Sequence, residues 1–274
     1  MTARGRTALL LPLLLTVALA GCRTGRNYAD PDATRAAGAR AMSDTTRGAP
    51  DTLRVVSFNI AFARRLDAAI ALLATHPALR GADVVLLQEM TGDATRRVAR
   101  ALDLHWVYYP AIHHTRARQD FGNAVLSRWP IVEDARLVLP HPSRYAGTQR
   151  IATAATIRVG DTLVRVYSTH LGTPLDVGAR SRRAQMRAIL ADAARHPRVI
   201  LGGDLNDGAV GRVARDAGYA WPTERGPRTT RFGRWDHVFL RGLASPARDA
   251  AGTVGREARG ISDHVPVWAR AVLR

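Results

Sequence analysis

The sequence contains no lysine. All forty of its basic residues are arginine, against 23 acidic residues, and the formal net charge at pH 7 is +17. A complete absence of lysine is typical of biased genome composition. The arginines are also dispersed and are not interleaved with aromatic residues. The charge favours polyanionic partners such as nucleic acid or anionic lipid head groups, but alone it does not predict nucleic-acid binding.

Cysteine is nearly absent as well. Cys22 is the only one in the chain, so an intramolecular disulfide is excluded. A soft thiolate metal centre is excluded for the same reason. The folded part of the chain must therefore be held together by its apolar core.

Long apolar runs are lacking except near the beginning of the chain. Arg4 and Arg6 precede an apolar stretch over residues 8–20, which is too short to span a membrane and ends in small residues. This pattern predicts a signal peptide over residues 1–21.

The end of this leader, Leu19-Ala20-Gly21-Cys22, resembles the lipobox of bacterial lipoproteins. That resemblance implies that Cys22 is lipidated and anchors the protein to a membrane, on the periplasmic or cell-surface side. The alternative is an ordinary cleaved secretory signal that happens to contain a cysteine.

Composition also divides the rest of the chain. Residues 22–51 are rich in Arg, Ala, Gly, Asp, Thr and Pro with almost no aliphatic residues, which predicts a flexible tether. Residues 52–274 are long enough for one α/β domain, which we expect to be monomeric. Loss of Arg4 and Arg6 with the leader changes the net charge from +17 to +15.

The stretch Gly202-Gly203-Asp204-Leu205-Asn206-Asp207 follows a short apolar run. The run indicates a buried strand, and the paired glycines suggest a sharp turn at its end. If strand geometry persists, Asp204 and Asn206 point to one face. Oxygen donors of this kind suit Mg²⁺ or Mn²⁺. The alternative is an Asx turn in which both side chains bond only to their own backbone.

Polar residues recur where other apolar runs begin or end. Residues 53–60, 82–87, 162–170 and 235–240 read as strands, and a further strand follows residue 266. Helical spacing predicts helices over 64–75, 91–102 and 176–195. Eight polar residues fall at these strand edges, and they are Asn59, Glu89, His170, Asp204, Asn206, Asp236, Asp263 and His264.

Seven short motifs accompany these residues, namely SFNI, LQEM, GNAVLSR, STHL, GGDLND, WDHVF and SDHVPV. In this order and spacing they resemble the signature of the endonuclease/exonuclease/phosphatase superfamily, which has a deoxyribonuclease-I-like fold. The resemblance implies a four-layered α/β/β/α sandwich with two mixed β-sheets face to face. It also implies hydrolysis of a phosphoester assisted by Mg²⁺ or Mn²⁺.

The resemblance further implies roles for individual residues. Glu89, Asn59 and Asp263 would form the metal site. His264 would be the reactive histidine and Asp236 the acid that orients it, while Asp204 and Asn206 would position the attacking water and a phosphate oxygen. His170 would contact the phosphate or assist the leaving group, and Arg150 would face the phosphate.

The substrate stays open at this point. A nuclease or other phosphodiesterase is the first reading, and a phosphodiesterase of phospholipid head groups or small phosphoesters, similar to sphingomyelinases, is the second. A third reading is a catalytically silent lipoprotein that uses the fold to bind. The presence of both Asp236 and His264 argues against the third, because a binding protein does not need that pair.

Overall fold

The computed structural model describes residues 25–28, 35–41, 50–246 and 250–273. In chain order its strands and helices are β1 (Gly25–Asn27), β2 (Ala36–Gly38), β3 (Thr52–Asn59), α1 (Leu66–Thr75), β4 (Val84–Met90), α2 (Gly92–Leu102), β5 (His105–His114), β6 (Gln119–Ser127), β7 (Ile131–Val138), β8 (Ile151–Val159), β9 (Thr162–His170), α3 (Ala179–Ala193), β10 (Val199–Asp204), α4 (Gly211–Asp216), β11 (Asp236–Arg241), β12 (Ala251–Thr253) and β13 (Val267–Val272). Tight turns at Ala61–Ala63 and Gly208–Val210 accompany them.

The strands form two mixed sheets. The first has the order β1-β5-β6-β4-β3-β13-β12, with β2 beside β1 on the same edge of β5, and the second has the order β11-β10-β9-β8-β7. The pairs β3–β4 and β9–β10 are parallel. Each parallel pair is connected through a helix, α1 or α3, because parallel neighbours need a crossover.

Three apolar clusters separate four layers. One lies between the sheets and joins residues such as Val55 and Leu86 to Val166 and Ile200. A second packs α1 and α2 on the outer face of the first sheet, and a third packs α3 and α4 on the outer face of the second. Central strands are buried on both faces and therefore read as continuous apolar runs. The predicted four-layered α/β/β/α sandwich is confirmed.

The N-terminal segment differs from the flexible tether that its composition predicts. Within it, Gly25–Asn27 and Ala36–Gly38 pair with the edge strand β5, and Arg40 forms a 2.7 Å ion pair with Asp103. An edge strand offers unpaired N–H and C=O groups to such a segment. Small residues permit the close approach, since a Cβ on Gly38 would lie 2.5 Å from Trp106 Nε1. The division at residue 51 itself stays a prediction.

Cys22, the leader and the lipobox lie outside the described residues. Within the described residues, no helix is long and apolar enough to cross a membrane.

The paired glycines act differently from our expectation of a sharp turn. Both belong to β10, which continues to Asp204. A Cβ on Gly202 would lie 2.7 Å from Leu86 Cδ1, and one on Gly203 would lie 1.9 Å from Thr169 O. The glycines therefore let β10 approach both the facing sheet and its neighbour β9, and this contact fixes the position of Asp204.

Candidate active site

The predicted polar residues converge at one edge of the sandwich. The ends of β3, β4, β9 and β10 meet there with the beginning of β11 and the loop before β13. They surround a cleft of about 350 Å³, whose lining includes Phe62, Glu89, His114, Phe121, Arg150, His170, Asp204, Asn206, Trp235, Asp263 and His264. Asn59 and Asp236 are buried and hydrogen-bonded to residues of this lining.

Asp204 is the centre of the hydrogen-bond network. Its Oδ2 accepts from Asn59 Nδ2 at 3.1 Å and lies 3.3 Å from His170 Nε2. Its Oδ1 accepts from the Asn206 backbone N–H at 2.8 Å. The Asx turn and the convergent site are thus both present, one on each oxygen. Burial raises the pKa of Asp204 to about 7, with the charge of Asp236 acting in the same direction.

Asn206 lies beside Asp204 in a left-handed conformation with φ of 52°. Asparagine tolerates this region better than most residues do. Its Nδ2 donates to Leu171 O at 3.0 Å, which holds the side chain at the end of β9. Both predicted members of this pair therefore line the cleft.

His264 and Asp236 form a buried pair. His264 Nδ1 lies 2.8 Å from Asp236 Oδ2, and His264 Nε2 faces Asp204 Oδ2 at 3.6 Å. Burial alone would lower the pKa of His264, but the charge and hydrogen bond of Asp236, together with the charge of Asp204, outweigh it and raise the pKa to about 10. This shift favours the protonated imidazole, which lies between the carboxyl groups of Asp236 and Asp204.

His170 has the opposite electrostatic character. It is 4% exposed, and burial, with the nearby charges of Arg150 and His264, holds its pKa well below the usual value. Its Nδ1 lies 4.0 Å from Glu89 Oε1 and has no hydrogen-bond partner among the described residues. The neutral imidazole of His170 therefore lies in the wall of the cleft with its Nδ1 buried and unsatisfied.

Glu89 leaves the ladder of β4 at a bulge. The register shifts between Gln88 and Met90, and Glu89 adopts a φ of 58°. A left-handed non-glycine residue carries strain and is common at functional sites. Its Oε2 accepts from the Phe62 backbone N–H at 3.1 Å. The bulge directs a carboxylate into the cleft that regular pleating would leave within the sheet.

Asn59 supports Glu89 through its amide. Its Nδ2 donates to Glu89 Oε1 at 3.2 Å, while its Oδ1 accepts from the Ala61 backbone N–H at 3.1 Å. The nitrogen thus faces the carboxylates, and the oxygen is bonded to the backbone. In this geometry Asn59 positions Glu89, and its direct ligation of a metal stays a prediction.

The residues at the cleft fit a divalent cation. Burial raises the pKa of Glu89, and the charge of Asp263 contributes to the rise because the two carboxylates repel each other. Two carboxylates that repel across one cleft form a donor set that suits a hard cation such as Mg²⁺. Glu89 and Asp263 are therefore the residues that would hold it.

A second set of residues, two acids and a histidine, has ligand atoms close enough together to hold a metal ion. Ligand atoms of Asp204, Asp236 and His264 lie within 4.8 Å of one another. Within this group His264 Nδ1 is bonded to Asp236, and His264 Nε2 faces Asp204.

Arg150 lies in the cleft, as predicted. Its Nη1 is buried without a hydrogen-bond partner among the described residues. Its guanidinium carbon lies 5.5 Å from the centre of the Phe121 ring. A buried cation with an unsatisfied N–H in this cleft suits a phosphate oxygen.

Two positioning residues were missed by the sequence interpretation. Ser262 Oγ donates to Asn59 O at 2.8 Å and accepts from the His264 backbone N–H at 3.1 Å, which joins the His264 loop to the end of β3. Thr229 Oγ1 accepts from the backbone N–H groups of Trp235 and Asp236 at 3.0 and 3.1 Å. Ser262 stands within the SDH motif, which was a usable signal, but nothing near Thr229 in the sequence indicates its role.

Comparisons with known proteins identify the family and the fold of the chain. The model of the Endonuclease/Exonuclease/phosphatase family matches residues 56–264. No curated protein sequence matches the chain.

Several solved structures are similar to the chain. An endonuclease/exonuclease/phosphatase from Bacteroides vulgatus is 14% identical with a TM-score of 0.66, over 82% of this chain and 100% of that one. TDP2 from D. rerio, complexed with a single-strand DNA product, is 19% identical with a TM-score of 0.63, over 81% and 99% of the two chains. Sphingomyelinase C from Streptomyces griseocarneus is 19% identical with a TM-score of 0.61, over 81% and 100%. These identities are low enough that the likeness shows the fold alone. With the family model spanning most of the domain, the chain belongs to the endonuclease/exonuclease/phosphatase family.

Proposed function

We propose that the protein is a metal-dependent phosphodiesterase. The observation that carries the proposal is the His264 ring, which lies between Asp236 and Asp204 in the wall of a cleft that also holds Glu89 and Asp263. A phosphodiester is anionic and repels nucleophiles, so its hydrolysis needs positive charge near the phosphate and a group that accepts a proton from water. The cleft supplies candidates for both.

Each residue then has a chemical task. Asp204, with its pKa raised to about 7, accepts the proton of the attacking water near neutral pH. His264 stays protonated, because its pKa is raised to about 10, and it stabilises negative charge on the phosphate while Asp236 fixes its ring. Arg150 adds a second fixed positive charge. Glu89 and Asp263 would hold a divalent cation, which when bound would offset the negative charge of the phosphate oxygens.

The experiment is a substrate panel. The purified full chain is offered bis-p-nitrophenyl phosphate, single-stranded DNA, RNA, sphingomyelin and inositol phospholipids in parallel, with Mg²⁺ or Mn²⁺. We expect hydrolysis of bis-p-nitrophenyl phosphate and of at least one natural phosphodiester. A folded protein that turns over none of them contradicts the proposal and favours the binding lipoprotein instead.

Within this activity we propose nuclease action first. The similar structures include TDP2 with a single-strand DNA product and a sphingomyelinase C, so both substrate classes occur on this fold. The net charge of +15 after loss of the leader favours a polyanionic substrate.

Phospholipid hydrolysis is the second candidate, and the position of β1 favours it. Gly25 pairs with His114, which lines the cleft. Only two residues, Arg23 and Thr24, lie between Cys22 and Gly25 in the sequence, so a lipid on Cys22 would be attached close to β1 along the chain. If Cys22 carries a lipid, as we also propose, the cleft opens near the membrane surface. Cleavage of lipid with intact DNA in the panel would reverse our order of preference.

A further inference from the structure

A second concave site lies next to the cleft. It is a cavity of about 500 Å³ between α4 and the loop over residues 221–235, and we name it the arginine-lined cavity. Its lining is Gly208, Ala209, Arg212, Arg215, Trp221, Glu224, Arg228, Phe232, Gly233, Arg234, Trp235 and His237. Trp235 lines both this cavity and the cleft, so one molecule can extend from one into the other.

The charge of the cavity is uncompensated. Four arginines line it against a single acid, Glu224, which is paired at 2.8 Å with Arg215. Across the described part of the chain, the side chains of Arg212, Arg228 and Arg234 have no hydrogen-bond or ion-pair partner. Like charges gathered in a concave surface repel one another and focus a positive potential there. The chemical complement of such a surface is an anion.

The floor of the cavity is fixed by hydrogen bonds. His237 is 1% exposed, and its Nδ1 accepts from Trp221 Nε1 at 3.1 Å while its Nε2 donates to Arg234 O at 3.0 Å. Burial lowers the pKa of His237 to about 4, so this tautomer persists at neutral pH. The backbone that carries Arg234 and Trp235 is therefore held in place before any ligand binds.

An aromatic ridge divides the cavity from the cleft. Trp235 stacks on Phe232 with ring centres 5.4 Å apart and planes 15° apart, and the Trp235 ring centre lies 6.5 Å from that of His264. Phe232 also carries the Arg231 guanidinium at 4.4 Å. Aromatic rings next to a cationic groove are the usual surface on which the bases of a single strand stack.

We infer that the arginine-lined cavity binds a second phosphate of a single nucleic-acid strand whose scissile phosphodiester lies in the cleft. This inference depends on the proposed function, since the cleft must hold the reacting phosphate. The ridge favours nucleic acid over a lipid, because a head group with one phosphodiester uses neither the ridge nor a second cationic site.

The test compares two double variants with equal loss of charge. Arg212→Ala with Arg234→Ala removes cations from the cavity. Arg180→Ala with Arg187→Ala removes two exposed arginines of α3, which do not line the cavity. All four side chains are exposed, so both proteins should fold, and thermal melts check this.

Two measurements are made on each protein. Fluorescence anisotropy gives the Kd of a labelled single-stranded oligothymidylate at several salt concentrations, and steady-state kinetics give KM and kcat for the same strand and for bis-p-nitrophenyl phosphate. In the cavity variant we expect Kd and KM for the strand to rise about tenfold or more. The slope of log K against log salt should become shallower by about 0.7 for each phosphate that the variant no longer neutralises. Turnover of bis-p-nitrophenyl phosphate should stay within about twofold of wild type, and the control variant should resemble wild type throughout.

Other outcomes overturn the inference in distinguishable ways. Equal Kd and salt slope in the cavity and control variants would show that the cavity holds no phosphate of the strand. If the cavity variant had a raised KM for an inositol phospholipid but unchanged Kd and KM for the strand, the cavity would be assigned to a lipid head group. Failure of wild type to hydrolyse bis-p-nitrophenyl phosphate defeats the proposed function, whereas the anisotropy still decides whether the cavity binds a strand.

Discussion

Asp236 and His264 lie 28 positions apart in the chain and share a hydrogen bond of 2.8 Å. Since the acid acts through the imidazole, we expect Asp236→Asn and His264→Gln each to lower kcat for bis-p-nitrophenyl phosphate by about 10²- to 10⁴-fold. The double variant should be little worse than either single one. Steady-state kinetics on all four proteins measure this, and multiplicative losses would mean that the two residues act separately.

His237 provides a pH test that does not depend on activity. Its pKa is lowered to about 4 by burial, from 6.5, so its imidazole is neutral in both the folded and unfolded states above pH 6.5. Below that pH the imidazole of His237 is protonated in the unfolded chain but stays neutral in the folded protein. The free energy of unfolding therefore falls as the pH falls. From pH 7 to pH 5 the loss should be about 2 kcal/mol.

Urea unfolding at both pH values measures this loss, with His237→Gln as the comparison. The variant starts from lower stability at pH 7, because it loses two hydrogen bonds, but it should lack this share of the pH dependence. An identical pH dependence in both proteins would contradict the assignment to His237.

Residues that act at strand ends could be predicted from the sequence. Asp204 and His264 stand out because a polar group follows or precedes an apolar run. The direction of the Asn59 amide could not be predicted, because it is decided by the Ala61 N–H and by Glu89. The role of Thr229 could not be predicted either, because only the fold brings its two backbone partners, Trp235 and Asp236, into contact with it.

The turn at Ala61–Ala63 is a structural element with a strained backbone. All three residues have positive φ, between 43° and 59°, and the left-handed region costs a non-glycine residue about 1–2 kcal/mol. Ala61→Gly should therefore stabilise the protein by about 0.5 to 1 kcal/mol, after the entropy of the glycine is subtracted. Ala71→Gly, the same change at an exposed position within α1, should destabilise it by about 1 kcal/mol. Denaturant midpoints that shift in the same direction for both would contradict the strain.

Elements with a clear period could also be predicted. The strand over residues 162–170 has the expected bounds, and Thr91 precedes α2 as an N-cap that accepts from Ala94 N–H. β1, with the sequence Gly-Arg-Asn, and β2, with the sequence Ala-Ala-Gly, could not be predicted, because neither alternates large apolar residues with polar ones. They are held by pairing with β5 and by ion pairs such as that of Arg40 with Asp103.

At the scale of the whole molecule, membrane attachment and the monomeric state stay predictions. If Leu19-Ala20-Gly21-Cys22 is a lipobox, Cys22→Ala should release the protein from the membrane fraction into solution, because the variant lacks the residue that would carry the lipid. Fractionation of expressing cells measures this, and mass spectrometry of the mature N-terminus is its control. A wild-type N-terminus without lipid would contradict the anchor.

The dependence of activity on a divalent cation is the central claim, and metal titration of bis-p-nitrophenyl phosphate hydrolysis tests it most directly. Metal-free wild-type protein should be inactive and should gain activity saturably as Mg²⁺ is added. Glu89→Gln removes one carboxylate charge at the same volume, so it should fold normally and lose about 10²- to 10³-fold in kcat at saturating Mg²⁺. Full activity of the wild type in chelator after exhaustive dialysis, or an unimpaired Glu89→Gln variant, would contradict the account.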